Sequence, residues 1–514
     1  MCSWPASGKR AGVRDNPVAR GVVLVLLTVV AYWPALSGEF LWDDRLYVTD
    51  NPLIKAGDGL RRFWLTTEFT DYYALSNTSF WLEWRLWGAN PVGYHATNLL
   101  LHALNALLLW RVLGRLGVPG AWLAGLMFAL HPVNVMSVAW ISERKNLLSL
   151  LFVALAVLAY LRWNEERAPR WYAVALGCFA LALLSKTSVV MVPVVLALLV
   201  WWRRGNLTWR DVGALAPFCA LSLVMGLVTM WFESQHGIRD AVVRPEGWAA
   251  RLAGTGWAVW FYVSKVLLPV NLMAIYPRWQ ISAGSLVAWV PLLALVTLVV
   301  ALRNRRGLLV ALGGFVGLLV PVLGFFDIGF MAYSFVADHW VYPAVIAVIA
   351  VGCAMLQRWA WLAVLVVGAL GVGTWRQAHV WRDDETLWCD TLAKNPAAWM
   401  AHNNLGNALL ARGEVDAAVR AYDETLRLQP DYANAHYNLG IVLYQHGRFA
   451  EAEERFRETA RLKSRSAEAH NNLGAALVQL GRTNDAIAEF KLAAQLAPRW
   501  AEPRANLQRV GSAE

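Results

Sequence analysis

The chain has 514 residues, 58% of them apolar and only 16% charged, with a mean hydropathy of +0.40. It is too long for one ordinary soluble domain and too apolar for a soluble protein of that size. The formal net charge of +10 does not point to nucleic acid, because arginine is concentrated in short connectors between apolar stretches: Arg111 and Arg115, Arg203 and Arg204, Arg303, Arg305 and Arg306. Such clusters mark the cytoplasmic side of a membrane protein.

At the start, Lys9, Arg10 and Arg14 precede an apolar stretch with no small-residue cleavage site, which reads as an uncleaved first span. Residues 1–20 are expected in the cytoplasm and residues 21–378 in the membrane. Stretches such as Gly21 to Leu36, Leu147 to Leu161 and Trp359 to Gly373 approach the roughly 20 apolar residues that cross a bilayer. Eleven or twelve spans are expected. The 29 tryptophans, many near span ends, fit interfacial belts. The five cysteines (Cys2, Cys178, Cys219, Cys353 and Cys389) lack metal-ligand spacing and three fall within spans, so neither a disulfide framework nor a zinc site is expected.

With the N-terminus inside, residues 37–93 form a long outer loop, and its eight acids against five bases agree with that side. Alternation then places 131–146, 185–187 and 233–246 outside as well. If Leu252 to Leu268 is re-entrant or interfacial there are eleven crossings, the Arg303 to Arg306 cluster is inside, and the C-terminal tail is outside. That is the preferred topology.

The outer loop opens with Phe40-Leu41-Trp42-Asp43-Asp44. Two adjacent carboxylates at a membrane surface suit proton abstraction from a hydroxyl, with low dielectric raising the pKa of the base; a solvated turn or helix N-cap is the alternative. Beyond Tyr94-His95, residues Asn98, His102 and Asn105 are spaced i, i+4, i+7 and share one helix face, facing either a cavity or another helix. His131-Pro132-Val133-Asn134 and Ser142-Glu143-Arg144-Lys145-Asn146 put two cations where few are expected. Arg144 and Lys145 could grip a lipid phosphate, or snorkel to headgroups. Lys186, in Leu184-Ser185-Lys186-Thr187, is a further phosphate ligand or a span-end anchor. Asp338-His339 heads a late span, where it would bind phosphate or orient a sugar, or where Asp338 caps the helix. Together, an acidic pair and several cations on one side of a membrane describe a site for an anionic, lipid-linked donor.

From about Trp381 the chain repeats every 34 residues: Leu405-Gly406, Leu439-Gly440 and Leu473-Gly474; Gly413, Gly447 and Gly481; Ala418, Ala452 and Ala486; Tyr422, Phe456 and Phe490. This is the tetratricopeptide period. Residues 379–514 divide into a half repeat (381–398), repeats at 399–432, 433–466 and 467–500, and a cap (501–514). Asn404, Asn438 and Asn472 recur on the first helix of each repeat, where they would hold an acceptor peptide or bond to neighbouring repeats. The fold class is therefore all-α: a polytopic helical membrane domain followed by a repeat solenoid.

Trp42-Asp43-Asp44, Tyr94-His95 to His102, His131-Pro132-Val133-Asn134, Ala139 to Lys145, Leu184-Ser185-Lys186, Tyr276-Pro277 and Phe335 to Trp340, followed by the repeats, resemble the bacterial relatives of the transmembrane and tetratricopeptide repeat proteins. The likeness covers nearly the full chain. It implies a membrane domain of the GT-C glycosyltransferase type and an inverting transfer of sugar, mannose in the animal members, from a polyprenyl phosphate carrier to Ser or Thr of an extracytoplasmic protein. The resemblance puts Asp43 or Asp44 at the catalytic base, and implies donor contacts from His95, Asn98, His102, His131, Glu143, Arg144, Lys145, Lys186, Asp338 and His339. The family often has Glu at the position of Met136 and Asp at that of Asn146. Without those carboxylates no divalent metal is expected, and the implied partners are a lipid-linked sugar and a protein acceptor brought in by the repeats. A bacterial inner membrane with periplasmic repeats is the implied location. A non-catalytic scaffold for an envelope complex is the rival expectation; a transporter would carry ionisable residues deep in several spans rather than at one face.

Overall fold

The computed structural model describes residues 16–237 and 243–511. Lys9, Arg10, Arg14 and Cys2, part of the 233–246 loop, and the last residues of the expected cap lie outside the described residues. Every regular element among those described is helical.

Local sequence explains where several helices start. Asn16-Pro17, Asn51-Pro52 and Asn90-Pro91 each begin one in the same way: the Asn side chain accepts the first backbone N–H groups, and Pro, which has none to leave unpaired, occupies the first turn. Thr208 and Asp211 form a reciprocal capping box at the start of Trp209–Phe232.

Among the described residues, six helices are long and apolar enough to cross a membrane. A seventh candidate span is broken, with Ala121–Ala129 and Pro132–Ala139 bent by 51°. Four further apolar helices (Pro169–Ser185, Leu286–Ala301, Arg306–Val322 and Val345–Leu356) are shorter. The expected eleven crossings therefore require these short helices to cross too. Leu252 to Leu268 falls in the helix Trp248–Leu267, which is not among the candidate spans.

The break at Leu130-His131 follows from Pro132, which has no N–H to donate and disfavours helical backbone before it. The carbonyls it frees are satisfied by side chains: Asn134 donates to Phe128 O at 2.8 Å, His102 to Ala129 O at 3.0 Å, and Thr374 to Leu130 O at 2.7 Å. Buried in an apolar surround, unpaired carbonyls would each be costly. This ties Pro91–Arg115 and Ala360–Val380 to the broken pair.

The loop between the first two long helices folds into a small cap over one end of the bundle. Its core is Tyr47, Val48, Leu53, Ile54, Phe63 and Phe80, closed by Tyr94 and Ile141.

The repeats pair as Trp399–Ala411 with Val415–Leu428, Ala433–Gln445 with Phe449–Leu462, and Ala467–Gln479 with Thr483–Leu496. A Cβ on Gly406, Gly440 or Gly474 would come within 2.6–2.7 Å of the ring of Tyr422, Phe456 or Phe490. Glycine there lets the two helices of a pair close on the aromatic. The half-repeat helix, Asp384–Lys394, docks on the membrane domain. Lys394 donates to Leu272 O at 2.7 Å and Asn395 to Ile275 O at 3.1 Å, while Trp399 meets Tyr333 edge-on at 5.3 Å.

Candidate active site

Helix ends from distant parts of the chain converge beneath the cap: the starts of Pro91–Arg115 and Arg144–Glu166, the end of Pro169–Ser185, and the turn at Asp338–Trp340. Glu143 is at the centre. Its Oε1 lies 3.1 Å from the Lys145 ammonium, and its Oε2 accepts from Lys186 at 3.0 Å and from Asn146 at 2.5 Å. Asn146 also donates to the His339 carbonyl at 2.9 Å. Within this triad two ammonium groups share one carboxylate, and the positive charge left over faces Asp43 and Asp71.

The two acids of Asp43-Asp44 are not equivalent. Asp44 is fully buried, and its Oδ1 and Oδ2 accept the backbone N–H groups of Ser142 at 2.6 Å and Leu41 at 3.0 Å. Burial pushes its pKa up to about 8 against the pull of those donors. Asp44 thus ties the root of the cap to the Ile141–Glu143 turn, and the expectation that it serves as a base is corrected to that of a structural bridge. Asp43 is half-buried and its carboxylate makes no hydrogen bond among the described residues. Burial raises it to about 6, opposed by Lys145 and reinforced by Asp71 and Glu143. It is the available carboxylate.

The cations also separate. Arg144 is fully buried: it pairs with Glu83 at 2.6 Å, donates to Tyr94 O at 2.9 Å, and bonds Asn98. A guanidinium with those partners is not free for a phosphate, so Arg144 is corrected to a structural ion pair. Lys145 is the more open, 13% exposed, with Tyr47 and Tyr73 rings 5.0 and 5.7 Å away. Lys186 is 9% exposed, and burial lowers its pKa to about 8 although Glu143 opposes the shift.

Several other expected donor contacts prove to be structural. Asn98 donates to Val138 O at 3.1 Å and Trp140 O at 3.3 Å. His102 Nδ1 takes Tyr342 OH at 2.9 Å, its other nitrogen being engaged with Ala129 O. His131 caps the turn after the break, accepting Val133 N–H at 3.3 Å, and donates to Val266 O at 2.9 Å. His95 is buried against Gly38, in the space a Cβ there would need. Asn105 donates to Leu147 O at 2.9 Å and to the Tyr342 hydroxyl at 3.2 Å, so the shared face of Asn98, His102 and Asn105 is directed at neighbouring protein groups rather than at a cavity. His339 is held low, to about 3, by burial; it is a neutral ring among Trp140, Phe330 and Trp340, with Nδ1 3.4 Å from the Met136 sulfur. Burial raises Asp338 to about 7, opposed by the Tyr276 hydroxyl that donates to it at 2.8 Å.

In the repeats, Asn438 donates to Asn403 at 3.3 Å and Asn407 at 3.0 Å, Asn472 to the Tyr437 hydroxyl at 3.1 Å, and Asn404 receives the Asn403 amide. The bonds of Asn438 and Asn472 join one repeat to the next, so the peptide-holding expectation for those two is corrected; Asn404 bonds only its neighbour Asn403, and its amide nitrogen meets no partner among the described residues.

Sequence reasoning missed Asp71, which accepts from Tyr47 and lies electrostatically within range of Asp43 and Lys145. It also missed Glu83, the partner of Arg144, and Asp384. The acidic excess of residues 37–93 was the available signal for the first two.

Residues 79–231 match the family model of dolichyl-phosphate-mannose-protein mannosyltransferases, and residues 406–447 and 437–499 match tetratricopeptide repeat models. Among curated proteins the chain is similar to protein O-mannosyl-transferase F38B6.6 of Caenorhabditis elegans, 24% identical over 83% of this chain and 64% of that one. It is also similar to human protein O-mannosyl-transferase TMTC4, 25% identical over 78% and 65%, and to human TMTC1, 30% identical over 31% and 20%. All three similar proteins are TMTC-type or related protein O-mannosyl-transferases. The chain spans just under two thirds of the length of F38B6.6 and of human TMTC4. A solved repeat structure, the first TPR of Spaghetti (RPAP3) bound to an HSP90 peptide, is 21% identical over 22% of this chain and 91% of that one, with a TM-score of 0.22. The mannosyltransferase match takes in Glu143, Lys145 and Lys186 and begins beyond Asp43. The chain is a multi-pass membrane protein with a repeat arm.

Proposed function

We propose that the chain is a membrane glycosyltransferase that moves a sugar, mannose by similarity to the relatives above, from a polyprenyl phosphate carrier to a Ser or Thr hydroxyl of a protein on the extracytoplasmic side. The observation that carries this reading is Asp43: an unpaired carboxylate raised to about 6, facing Lys145 beside the Glu143–Lys186 pair. Asp43 takes the proton of the acceptor hydroxyl as its oxygen attacks the anomeric carbon. The bond to the carrier phosphate breaks on the opposite face, which inverts the configuration. Negative charge then grows on the departing phosphate, and Lys145 and Lys186 are the ammonium groups within the site to meet it. Both oxygens of Glu143 already face ammonium groups, and Met136 and Asn146 supply no carboxylate, so this mechanism routes no step through a metal. A bacterial inner membrane, with the repeats in the periplasm recruiting the acceptor, belongs to the same reading.

The test is transfer of labelled sugar from polyprenyl phosphate to peptides and envelope proteins by the full chain in lipid discs. Transfer by the wild type and its loss in Asp43→Asn is the expected result. An Asp43→Asn protein as active as wild type sinks the mechanism, and no transfer from any donor supplied favours a scaffold.

A further inference from the structure

Trp42, the residue before the proposed base, has φ +47, a left-handed backbone that an L residue with a bulky side chain adopts only when its surroundings impose it. Its ring stacks on Trp140 at 4.7 Å with 6° between planes and meets Trp388 edge-on at 5.1 Å. Its N–H donates to Asp384 Oδ1 at 3.2 Å, and the other oxygen of Asp384 pairs with Arg45 at 3.1 Å. One strand of chain away, the Glu39 N–H donates to the Arg382 carbonyl at 2.9 Å. Segment 39–45 is therefore fastened at both ends to residues 382–384, and Asp43 stands between the fastenings. Asp384 is the first residue of the half-repeat helix.

We infer that Asp384 is a positioning residue for Asp43: the first turn of the repeat arm holds the Trp42 peptide in its strained conformation and thereby aims the base. The repeats are then part of the transfer site itself, beyond any role in recruiting an acceptor. The inference rests on the reading of Asp43 as the base. The Asp384 carboxylate is only 16% exposed, so its bond to the Trp42 N–H is partly sheltered from competing water, while the Arg45 pair lies at the surface. The charged and titratable groups that face Asp43 are Lys145, Asp71, Glu143, Asp44, Tyr47 and Tyr333. Asp44 meets the Leu41–Trp42 peptide from its other side, its backbone N–H donating to Leu41 O at 2.8 Å; Asp384 is not among the groups facing Asp43, so it can be altered without removing a group that acts on the substrate.

The experiment is steady-state transfer by Asp384→Asn and Asp384→Ala in lipid discs, with Asp43→Asn in parallel and thermal unfolding of each variant. An amide still accepts the Trp42 N–H but more weakly than a carboxylate, whereas alanine accepts nothing. A graded loss is expected: kcat down a few fold in Asp384→Asn and tenfold or more in Asp384→Ala, with KM for the donor unchanged. The acidic limb of the kcat profile should move to lower pH, because a loosened Asp43 is better solvated. A purely structural role would lower the unfolding temperature and leave that limb in place. Asp384→Ala with wild-type kcat and an unmoved limb overturns the inference while Asp43→Asn remains inactive. If Asp384→Ala does not fold, Asp384→Asn matching wild type in both respects overturns it alone. An active Asp43→Asn protein instead removes the base, and the positioning role with it.

Discussion

The Lys186 ammonium donates to Glu143 Oε2 at 3.0 Å, joining the turn after Pro169–Ser185 to the start of Arg144–Glu166, 43 residues apart in the chain. Glu143 holds Lys145 with its other oxygen, so one buried carboxylate aligns two cations on the same space as Asp43. Truncating that carboxylate should do more than remove a charge. In Glu143→Gln both lysines lose their anchor, and donor KM is expected to rise at least tenfold, read by transfer assays at varied carrier concentration.

The adjacent acids should behave oppositely on substitution. Asp43→Asn is expected to lower kcat by about 10²–10⁴-fold, the range of general base catalysis, with an unchanged unfolding temperature. Asp44→Asn would turn an amide donor toward the Leu41 or Ser142 N–H and should cost about 1–3 kcal/mol, the penalty of an unsatisfied buried group. Parallel melting curves and initial rates separate the two.

The pH profile follows from two shifted groups. Asp43 must be ionised to accept a proton, so log kcat should climb with unit slope to about pH 6 and then level. Lys186 must be charged to meet the phosphate, so activity should decline again above about pH 8. Arginine keeps its charge throughout this range. Lys186→Arg, if it retains activity, should therefore lack the alkaline decline; a profile with the same decline would exclude Lys186 as its source.

Arg144 and Lys145 are neighbours with different expected phenotypes. Arg144→Gln leaves Glu83 buried without its cation and should destabilise by about 3–5 kcal/mol, seen as lost expression or a lowered melting temperature. Lys145→Gln should leave melting nearly unchanged and raise donor KM.

In the repeats, Gly440→Ala puts a Cβ at 2.7 Å from the Phe456 ring and should cost about 1–3 kcal/mol through overpacking. Asn438→Ala removes hydrogen bonds to Asn403 and Asn407 and should cost about 1 kcal/mol. Thermal unfolding of the full chain followed by circular dichroism would rank them.

The sequence by itself determined what depends on near neighbours and on period. Asn-Pro pairs start helices because cap and first turn are adjacent in the chain, and a 34-residue period reappears as paired helices because each glycine and its aromatic partner lie sixteen residues apart within one repeat. The segments that meet at the site were also legible, since polar residues in an apolar chain stand out. Only the tertiary structure decided which member of each pair is free. Asp44 differs from Asp43 because Ser142, 98 residues away, offers it an N–H; Arg144 differs from Lys145 because Glu83 meets one and not the other. His102 and His131 read as ligands until the helix break beside them supplied backbone groups to satisfy. A buried polar group bonds whatever the fold brings within about 3 Å, and no spacing along the chain records that partner.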